Sequence, residues 1–362
     1  MSASFVGSSF IPVPVKTRYT HKAHRTKATC LDSSSRTQIK AGHFPDRLCI
    51  DDSVFKYLKY YRPSSTNLLF ITTPIPNQQD LFENHTSVKD GAKKDEVWMK
   101  MREEARFDVE QEPILSHYYS TSILSHNSLE SALASQLSIK LSNSGIPINT
   151  LYEIFIDIFK EDEYTVRAVR EDLKAVKVRD PTCTSYVQCF LNFKGFLACQ
   201  AHRVAHKLWL QGRKPLALLI QNRVSEVFAV DIHPGAKIGS GILIDHATGV
   251  VVGETAVIGN NVSILHNVTL GGTGKVYGDR HPKIGDGALI GTGTCILGNI
   301  KIGDGAKVGA GSVVLKEVPS RSTAVGNPAR LIGGKNPVRL DKTPSLTMDQ
   351  TSHITEWSDY VI

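Results

Sequence analysis

The residue types of a general base occur together in the second half of the chain. Asp245 directly precedes His246, and Asp231 lies earlier, in the segment Asp231-Ile232-His233-Pro234. An aspartate that accepts a hydrogen bond from one imidazole nitrogen fixes the tautomer and leaves the other nitrogen able to take a proton. Such a base can deprotonate an alcohol and activate it toward a thioester, typically for roughly 10²–10⁴-fold in rate. The alternative interpretation is a structural Asp–His hydrogen bond.

A second group of polar residues lies at the end of a glycine-rich segment. Arg280 and His281 lie near the end of residues 271–283, which begin Gly271-Gly272-Thr273-Gly274-Lys275. The planar guanidinium group of an arginine suits a carboxylate. The glycine-rich part resembles a phosphate loop, but it lacks the P-loop spacing and does not open a helix. We therefore expect an extruded loop that closes over a neighbouring site, with a solvated basic loop as the alternative.

A sequence repeat must position these residues. From residue 232 onward an aliphatic residue recurs every six positions, with two extra residues after Ile244 and eight after Leu270. A six-residue unit fits one short strand and a tight turn, so thirteen such units predict a parallel β-helix with aliphatic side chains inside. The two interruptions are the segments that carry His246 and Arg280-His281, and a solenoid interrupts its repeat where a loop is useful. The aliphatic positions are Ile232, Ile238, Ile244, Val252, Ile258, Ile264, Leu270, Ile284, Ile290, Ile296, Ile302, Val308 and Val314.

The preceding part of the chain has the period of helices. Asn127 followed by Glu130 is typical of a helix N-terminus, and leucines then recur every four residues. Helices that are apolar on more than one side must pack against other helices or other subunits. The sequence therefore predicts an α+β solenoid: an N-terminal α-helical domain over 95–230, then a parallel β-helix of hexapeptide repeats over 231–334, then a tail over 335–362.

The N-terminal segment has the composition of an organelle transit peptide. Residues 1–45 contain seven Lys or Arg residues, twelve Ser or Thr residues and one acidic residue, Asp32. The hydroxyl-rich start favours a plastid, a mitochondrion is the alternative, and a disordered cytosolic extension is the third possibility. Residues 46–94 are polar, contain three prolines and have no sustained period, so they are interpreted as a linker.

Composition excludes several classes of function. The formal charge of +7 is concentrated in the leader, so a nucleic-acid-binding surface is not expected. No apolar run approaches the roughly 18 residues of a membrane span. The six cysteines form no Cys-x-x-Cys pair, and His202 and His206, although four residues apart on a helix, have no third ligand nearby. We expect free thiols and no metal site.

On the basis of these and related motifs, the chain resembles the serine O-acetyltransferase family of the plant organellar type, which belongs to the hexapeptide-repeat acyltransferases. The resemblance covers residues 95–362 and implies a left-handed prism. It also implies transfer of acetyl from acetyl-CoA to the hydroxyl of L-serine, which gives O-acetyl-L-serine and CoA in cysteine biosynthesis, with acetyl-CoA as co-substrate and no permanently bound cofactor. The motifs that carry the resemblance are Arg179-Asp180-Pro181, Phe193-Lys194-Gly195-Phe196, Asp231-Ile232-His233-Pro234, Asp245-His246-Ala247-Thr248-Gly249, Gly278-Asp279-Arg280-His281-Pro282-Lys283 and Gly326-Asn327-Pro328-Ala329-Arg330.

The resemblance assigns roles to individual residues. It implies that His246 is the general base on the serine hydroxyl, with Asp231 as its orienting partner. The carboxylates that bind the serine ammonium would be Asp180 and Asp245. The groups that bind the serine carboxylate would be Arg280 and His281, the latter also near the tetrahedral centre.

The CoA contacts are expected at small residues that let the backbone approach the pantetheine arm. These are Gly272 in the loop, Ala310 on a later coil, and the turn beginning at Ala324. Ordinary packing of the coils is the alternative for each of them.

The resemblance also implies partners. In relatives the terminal residue enters the active site of O-acetylserine (thiol) lyase, so Tyr360, Val361 and Ile362 are expected to bind that enzyme and form the cysteine synthase complex. The prism edges and the apolar helices imply a homo-oligomer, a dimer of trimers with active sites between subunits. L-cysteine, which differs from serine by one atom, is expected as a feedback inhibitor at the same ammonium and carboxylate contacts.

Three other functions remain open at this point. A zinc carbonic anhydrase built on the same prism would use three histidines across a subunit interface, here His246, His266 and His281. A non-catalytic scaffold would only regulate the lyase through its tail. Acetylation of a sugar or another alcohol would leave Asp180 and Arg280 without a role.

Overall fold

The computed structural model describes residues 95–274, 277–334 and 337–351. The predicted leader and linker, residues 1–94, lie outside these ranges. No helix within them is both long and apolar enough to cross a membrane. The helices are α1 Glu96–Gln111, α2 Ser116–Tyr119, α3 Leu129–Leu141, α4 Ile148–Glu161, α5 Glu163–Arg179, α6 Tyr186–Asn192, α7 Lys194–Leu210, α8 Lys214–Phe228 and, after the strands, α9 Pro344–Thr347.

Capping residues explain where the helices begin. Ser128 caps α3, one residue after the predicted Asn127, and accepts a hydrogen bond from Ser131 N at 3.3 Å. Asp95 caps α1 by accepting from Trp98 N at 3.1 Å. Both serine and asparagine are good N-caps, so the sequence alone places such a boundary only to within a residue or two.

Within the described residues fifteen short strands follow, and they form three sheets. The first sheet has the order β1-β4-β7-β10-β13, the second β2-β5-β8-β11, and the third β3-β6-β9-β12-β14-β15. All pairs are parallel except β14 with β15. The strands are β1 Val230–Ile232, β2 Lys237–Ile238, β3 Leu243–Ile244, β4 Val250–Val252, β5 Val257–Ile258, β6 Ser263–Ile264, β7 Thr269–Gly271, β8 Lys283–Ile284, β9 Leu289–Ile290, β10 Cys295–Leu297, β11 Lys301–Ile302, β12 Lys307–Val308, β13 Val313–Val314, β14 Thr323–Gly326 and β15 Ala329–Leu331.

Every third strand lies on the same sheet, so the chain winds through five turns of a parallel β-solenoid. The repeated aliphatic side chains point inward: twelve of the thirteen are buried, and Ile238 is half-buried. The predicted order, a helical domain followed by a solenoid of hexapeptide repeats, is confirmed.

The strand register shows how the two insertions are accommodated. A regular turn spans 18 residues, as Val251 pairs with Thr269 and Cys295 pairs with Val313. The turn that contains Asp245-His246 spans 20 residues, because Val230 pairs with Val250. The turn that contains Arg280-His281 spans 26 residues, because Thr269 pairs with Cys295. The extra residues therefore leave the prism at its corners without disturbing the stacking of the strands.

One buried carboxylate joins the helices to the prism. Asp172 on α5 is 1% exposed and accepts hydrogen bonds from Arg203 Nη2 at 2.6 Å and Gln200 Nε2 at 2.9 Å, both on α7. Its other oxygen accepts from Ile242 N, at 2.8 Å, in the first turn of the prism. Arg203 in turn donates to Gly239 O of that turn at 2.7 Å. These contacts fix α5 and α7 against the strands.

Close approach of α7 to the prism requires a glycine. A Cβ atom on Gly195 would lie 2.0 Å from the carbonyl oxygen of Ile244, where β3 ends. Such a contact is impossible for any side chain, which explains the glycine in the Phe193-Lys194-Gly195-Phe196 motif. Since Ile244 precedes Asp245, this contact also fixes the start of the first insertion.

The beginning of the tail packs back on the solenoid. Arg321 Nε donates to Leu340 O at 2.8 Å, and Ser263 Oγ donates to Ser345 O at 3.0 Å. Ser345, in α9, is fully buried. We call residues 337–351 the strap. The expected lyase-binding residues Tyr360, Val361 and Ile362 lie outside the described residues.

Replacing Asp172 with alanine is expected to destabilise the fold by about 3–5 kcal/mol, because it leaves the buried Arg203 guanidinium without its carboxylate. Thermal or urea unfolding of the full chain measures the effect. The matched control is Glu171→Ala next to it, since Glu171 makes only an exposed pair with Lys174 and should change stability by less than about 0.5 kcal/mol. Equal stability of the two variants would contradict the role given to Asp172.

Candidate active site

The first insertion and the residue that follows α5 supply two carboxylates and an imidazole. Asp245 and His246 lie between β3 and β4, and Asp180 follows the last residue of α5. His246 and Ala247 both have positive φ angles, 54° and 60°. Non-glycine residues rarely adopt this conformation, and such strain concentrates at functional sites. We call Asp180, Asp245 and His246 the acidic corner.

The imidazole of His246 is open to solvent, whereas Asp245 is largely shielded. The His246 side chain is 77% exposed, the Asp245 side chain is 21% exposed, and His246 Nε2 lies 3.9 Å from Asp245 Oδ1, beyond hydrogen-bond distance. The His266 ring packs edge-on against His246 at 5.7 Å between centroids. Thr292 Oγ1 lies 2.8 Å from His266 Nε2.

The electrostatics of the acidic corner favour a cation. Burial raises the pKa of the Asp245 carboxyl; the His246 side chain opposes this, and the Asp180 carboxylate raises it further. Two like charges at one place disfavour each other's ionisation, and a cation between them removes that repulsion. Thr182 fixes the position of the Asp180 carboxylate: its N and Oγ1 donate to Asp180 Oδ1 at 2.8 Å and 2.7 Å.

The second insertion ends in a corner of different chemistry. Arg280 Nη2 donates to Glu254 Oε2 at 2.9 Å, and the backbone N–H groups of Arg280 and His281 both donate to Thr255 Oγ1, at 3.0 Å and 3.1 Å. Residues 253–256 link β4 to β5, so they hold the end of the long loop against the prism. We call Arg280 and His281, with Glu254 and Thr255, the basic corner.

Hydrogen bonding fixes the tautomer of His281. The backbone N–H of Thr255 donates to His281 Nδ1 at 3.1 Å, so in the neutral ring the proton is on Nε2. Burial and the Arg280 guanidinium both lower the pKa of His281. The buried ring is therefore a neutral N–H donor, which suits an oxygen that gains negative charge.

Three residues of this corner were not identified from the sequence. Glu254 and Thr255 bind the loop, and Gly253 lies flat under the imidazole: a Cβ atom there would be 2.0 Å from His281 Cδ2. Each lies within regular repeats, so the repeat pattern carried no signal for it. The only available signal was a Glu-Thr pair at a turn where other repeats place Asp-Gly, as at Asp286-Gly287 and Asp304-Gly305.

The two corners lie at opposite ends of one strand. Residues 245–249 lead into β4 and residues 253–256 follow it, and three residues of strand span about 10 Å. Asp231 pairs with Val251 in the middle of this face. Its carboxylate accepts from Gln221 Nε2 at 2.6 Å. Within one chain, the expected hydrogen bond between Asp231 and His246 is not among the contacts of the described residues, since one residue is at mid-strand and the other at the corner.

The residues expected to contact CoA are placed as follows. Gly272 follows β7, and a Cβ atom on it would meet Arg280 Cγ at 3.5 Å. Ala310 is exposed in the turn after β12. Ala324 is 2% exposed and lies within β14, so the turn expected to begin there begins later, at Asn327-Pro328. The methyl group of Ala324, which pairs with the buried Val308, lies inside the prism.

Within one chain, the three histidines considered for zinc are not clustered. His246 and His266 are neighbours at the acidic corner, but His281 lies at the basic corner, with its Nδ1 bound by Thr255. Among residues 95–274, 277–334 and 337–351, no three His, Cys, Asp or Glu side chains are arranged to hold a metal ion.

Comparison with known proteins places this chain in a family. A profile described as serine acetyltransferase, N-terminal, matches residues 97–201, and one described as bacterial transferase hexapeptide (six repeats) matches residues 281–316. Serine acetyltransferase 1, chloroplastic, of Arabidopsis thaliana is 63% identical over 92% of this chain and 100% of its own length. Serine acetyltransferase 3, mitochondrial, of the same plant is 65% identical over 86% of this chain and 80% of its own.

A solved structure gives the same result. Soybean serine acetyltransferase complexed with serine is 65% identical, superposes with a TM-score of 0.64, and matches 65% of this chain and 97% of its own. The chain belongs to the serine acetyltransferase family and is an acyltransferase that transfers acetyl to serine in cysteine biosynthesis.

Proposed function

We propose that the acidic corner binds the amino group of L-serine and deprotonates its hydroxyl. The observation that carries this proposal is the joint position of Asp180, Asp245 and His246. A serine ammonium between the two carboxylates relieves their repulsion and places the hydroxyl beside the exposed imidazole. His246 then takes the hydroxyl proton as the alkoxide attacks the acetyl thioester of acetyl-CoA. Thiolate departure gives O-acetyl-L-serine and CoA, and the proton on His246 is returned to the CoA sulfur.

The basic corner supplies the complementary groups. The Arg280 guanidinium has donors beyond those bound by Glu254 and Gly278, and it pairs with the serine carboxylate. The Nε2–H of His281 binds the same carboxylate or the oxyanion of the tetrahedral intermediate. Asp231 is proposed to orient the His246 imidazole.

The complete site requires two copies of the chain. One copy presents its two corners about a strand length apart on one face, whereas a serine molecule has to contact both kinds of corner at once. Three prisms arranged in a ring would place the acidic corner of each copy against the basic corner of the next, and such a contact closes on itself. We propose a trimer on this basis, paired into a hexamer through the helices, whose exposed apolar side chains include Phe107 and Ile114.

Acetyl-CoA is proposed to lie along the later turns beside the loop, near Gly272 and Ala310. A serine acetyltransferase from Brucella abortus has been solved in complex with coenzyme A, which supports CoA as a ligand of this fold. No permanently bound cofactor is required by the reaction as written. A related structure in complex with cysteine supports L-cysteine as a competitor of serine, so adding it should raise the apparent KM for serine.

We propose a plastid location. The leader is basic and poor in acidic residues, and the chloroplastic relative matches over its whole length. The mitochondrial relative makes the mitochondrion the alternative. A fluorescent protein fused behind residues 1–94 should accumulate in chloroplasts, and mitochondrial or cytosolic fluorescence would contradict the proposal.

His246→Ala is expected to lower kcat by a factor of hundreds or more, because no group remains to take the hydroxyl proton. Serine-dependent release of the CoA thiol measures this. His126→Ala, a histidine of the helical domain whose ring only binds Thr121 O, is the matched control and should leave kcat unchanged. If the His246→Ala enzyme keeps its activity, His246 is not the general base, but acetyl transfer to serine stands. If the wild-type enzyme releases no CoA in response to serine, both the reaction and the mechanism are excluded.

The two-copy site can be tested by mixing variants. Co-expressed His246→Ala and Arg280→Ala chains should recover about a quarter of wild-type activity. Each Arg280→Ala chain keeps an intact acidic corner and each His246→Ala chain an intact basic corner, so random mixing in a closed ring joins two intact corners at that fraction of contacts. His246→Ala mixed with Asp180→Ala damages the same corner twice and should recover nothing. Absence of recovery in both mixtures would place the whole site within one chain.

The tail is proposed to bind O-acetylserine (thiol) lyase through Tyr360, Val361 and Ile362, since a free carboxylate after an apolar residue suits a backbone anion-binding nest. Deleting Ile362 should abolish co-elution with the lyase on size-exclusion chromatography and leave acetyl transfer intact. Undiminished co-elution of the shortened chain would exclude the proposal.

A further inference from the structure

We propose that Arg179 is a positioning residue for the serine ammonium site and that the strap supports it through the hydroxyl of Ser263. This inference rests on the proposed role of Asp180. It concerns the contacts that hold the Asp180 carboxylate in place and the part that the C-terminal strap has in them.

Arg179 is a buried cation held mainly by neutral acceptors. It is 6% exposed, and its Nη1 donates to Gly241 O at 2.9 Å and to Ser263 Oγ at 3.3 Å, while Nη2 donates to Asn261 Oδ1 at 3.1 Å. Among the described residues it forms no ion pair within 4 Å. Burial lowers the pKa of its guanidinium, and the more distant Asp172 opposes this.

A buried charge without a direct counter-ion is costly, so Arg179 does not serve stability alone. Its acceptors lie on two successive turns of the prism, Gly241 before β3 and Asn261 and Ser263 at β6. Arg179 is the last residue of α5, and Asp180 is the next residue. The guanidinium therefore fixes the end of the helix against the prism, one Cα–Cα step of about 3.8 Å from the carboxylate that faces serine.

The strap contacts Ser263, one of the residues that accept a hydrogen bond from Arg179. Ser263 is fully buried, and its hydroxyl accepts from Arg179 while donating its single proton to Ser345 O at 3.0 Å. A serine hydroxyl has one proton to donate, so the bond to the strap orients its lone pairs toward Arg179. Residues 337–351 thus form a physical connection between the C-terminal part of the chain and Asp180.

The geometry makes a selective kinetic prediction. Loosening Arg179 should weaken binding of serine, which uses Asp180, and should not affect binding of acetyl-CoA, which does not. A merely structural role would lower the amount of active enzyme, and hence kcat, without separating the two KM values.

The experiment measures both KM values and kcat for full-length variants. Arg179→Met is expected to raise the KM for serine at least tenfold, with the KM for acetyl-CoA within twofold of wild type. Arg179→Lys should give an intermediate value, because an ammonium can still reach one of the acceptors but lacks the planar fork. Arg167→Met on the exposed face of the same helix is the matched control and should change neither constant.

Two further changes test the strap and do not depend on the folding of Arg179→Met. Ser263→Ala and a chain ending at Gly334 should each raise the KM for serine several-fold, whereas a chain ending at Thr351 keeps the strap and should behave as wild type. If Ser263→Ala and the chain ending at Gly334 both leave the KM for serine within twofold of wild type, the inference is wrong. A wild-type enzyme without serine-dependent CoA release would instead overturn the proposed function.

Discussion

The buried Asp172 carboxylate is the contact on which the relative placement of helices and prism depends. It receives donors from α7 on one oxygen and from the first turn of the prism on the other. Desolvating a carboxylate is costly, and here Arg203 and three further donors, including the Cys199 thiol at 3.8 Å, offset that cost. Asp172 lies two helical turns before Arg179 on α5, so the interaction that joins the domains also directs the end of this helix to the acidic corner.

The prism holds its strands rigidly and keeps the acidic corner at a distance from the basic corner. Its strands stack at a fixed register, so each insertion can leave at a corner without changing the turns above and below it. The same stacking keeps the acidic and basic corners apart at the two ends of β4. A ligand that carries an ammonium and a carboxylate is matched by both corners together and by neither alone. The proposal of a two-copy site therefore rests on this separation, which is set by the length of one strand.

The electrostatic surroundings of the two corners differ. At the acidic corner burial and the neighbouring Asp180 carboxylate raise the pKa of Asp245, which favours a cation there, and the positive φ angle at His246 accompanies an exposed imidazole. At the basic corner burial and Arg280 keep His281 neutral, and Thr255 N determines which nitrogen carries the proton. One histidine is open and able to accept a proton, whereas the other is enclosed and able to donate a hydrogen bond. The mechanism proposed above gives the same side chain opposite tasks because its surroundings differ.

The six-residue period determined the solenoid, its aliphatic core and the position of both insertions, because each repeat is a local unit whose strand and turn are set by its own residues. The types of Asp245, His246, Arg280 and His281 likewise indicated the chemistry, whereas the role expected of Asp180 came from the family resemblance. Tertiary structure alone decided the contacts between turns: Gly253 under His281, Glu254 with Arg280, and Ser263 between Arg179 and the strap. These contacts join residues that are distant in sequence, and they form only after the stacking register and the direction of α5 are fixed. For the same reason the sequence placed a turn at Ala324, whereas the folded chain buries Ala324 within β14.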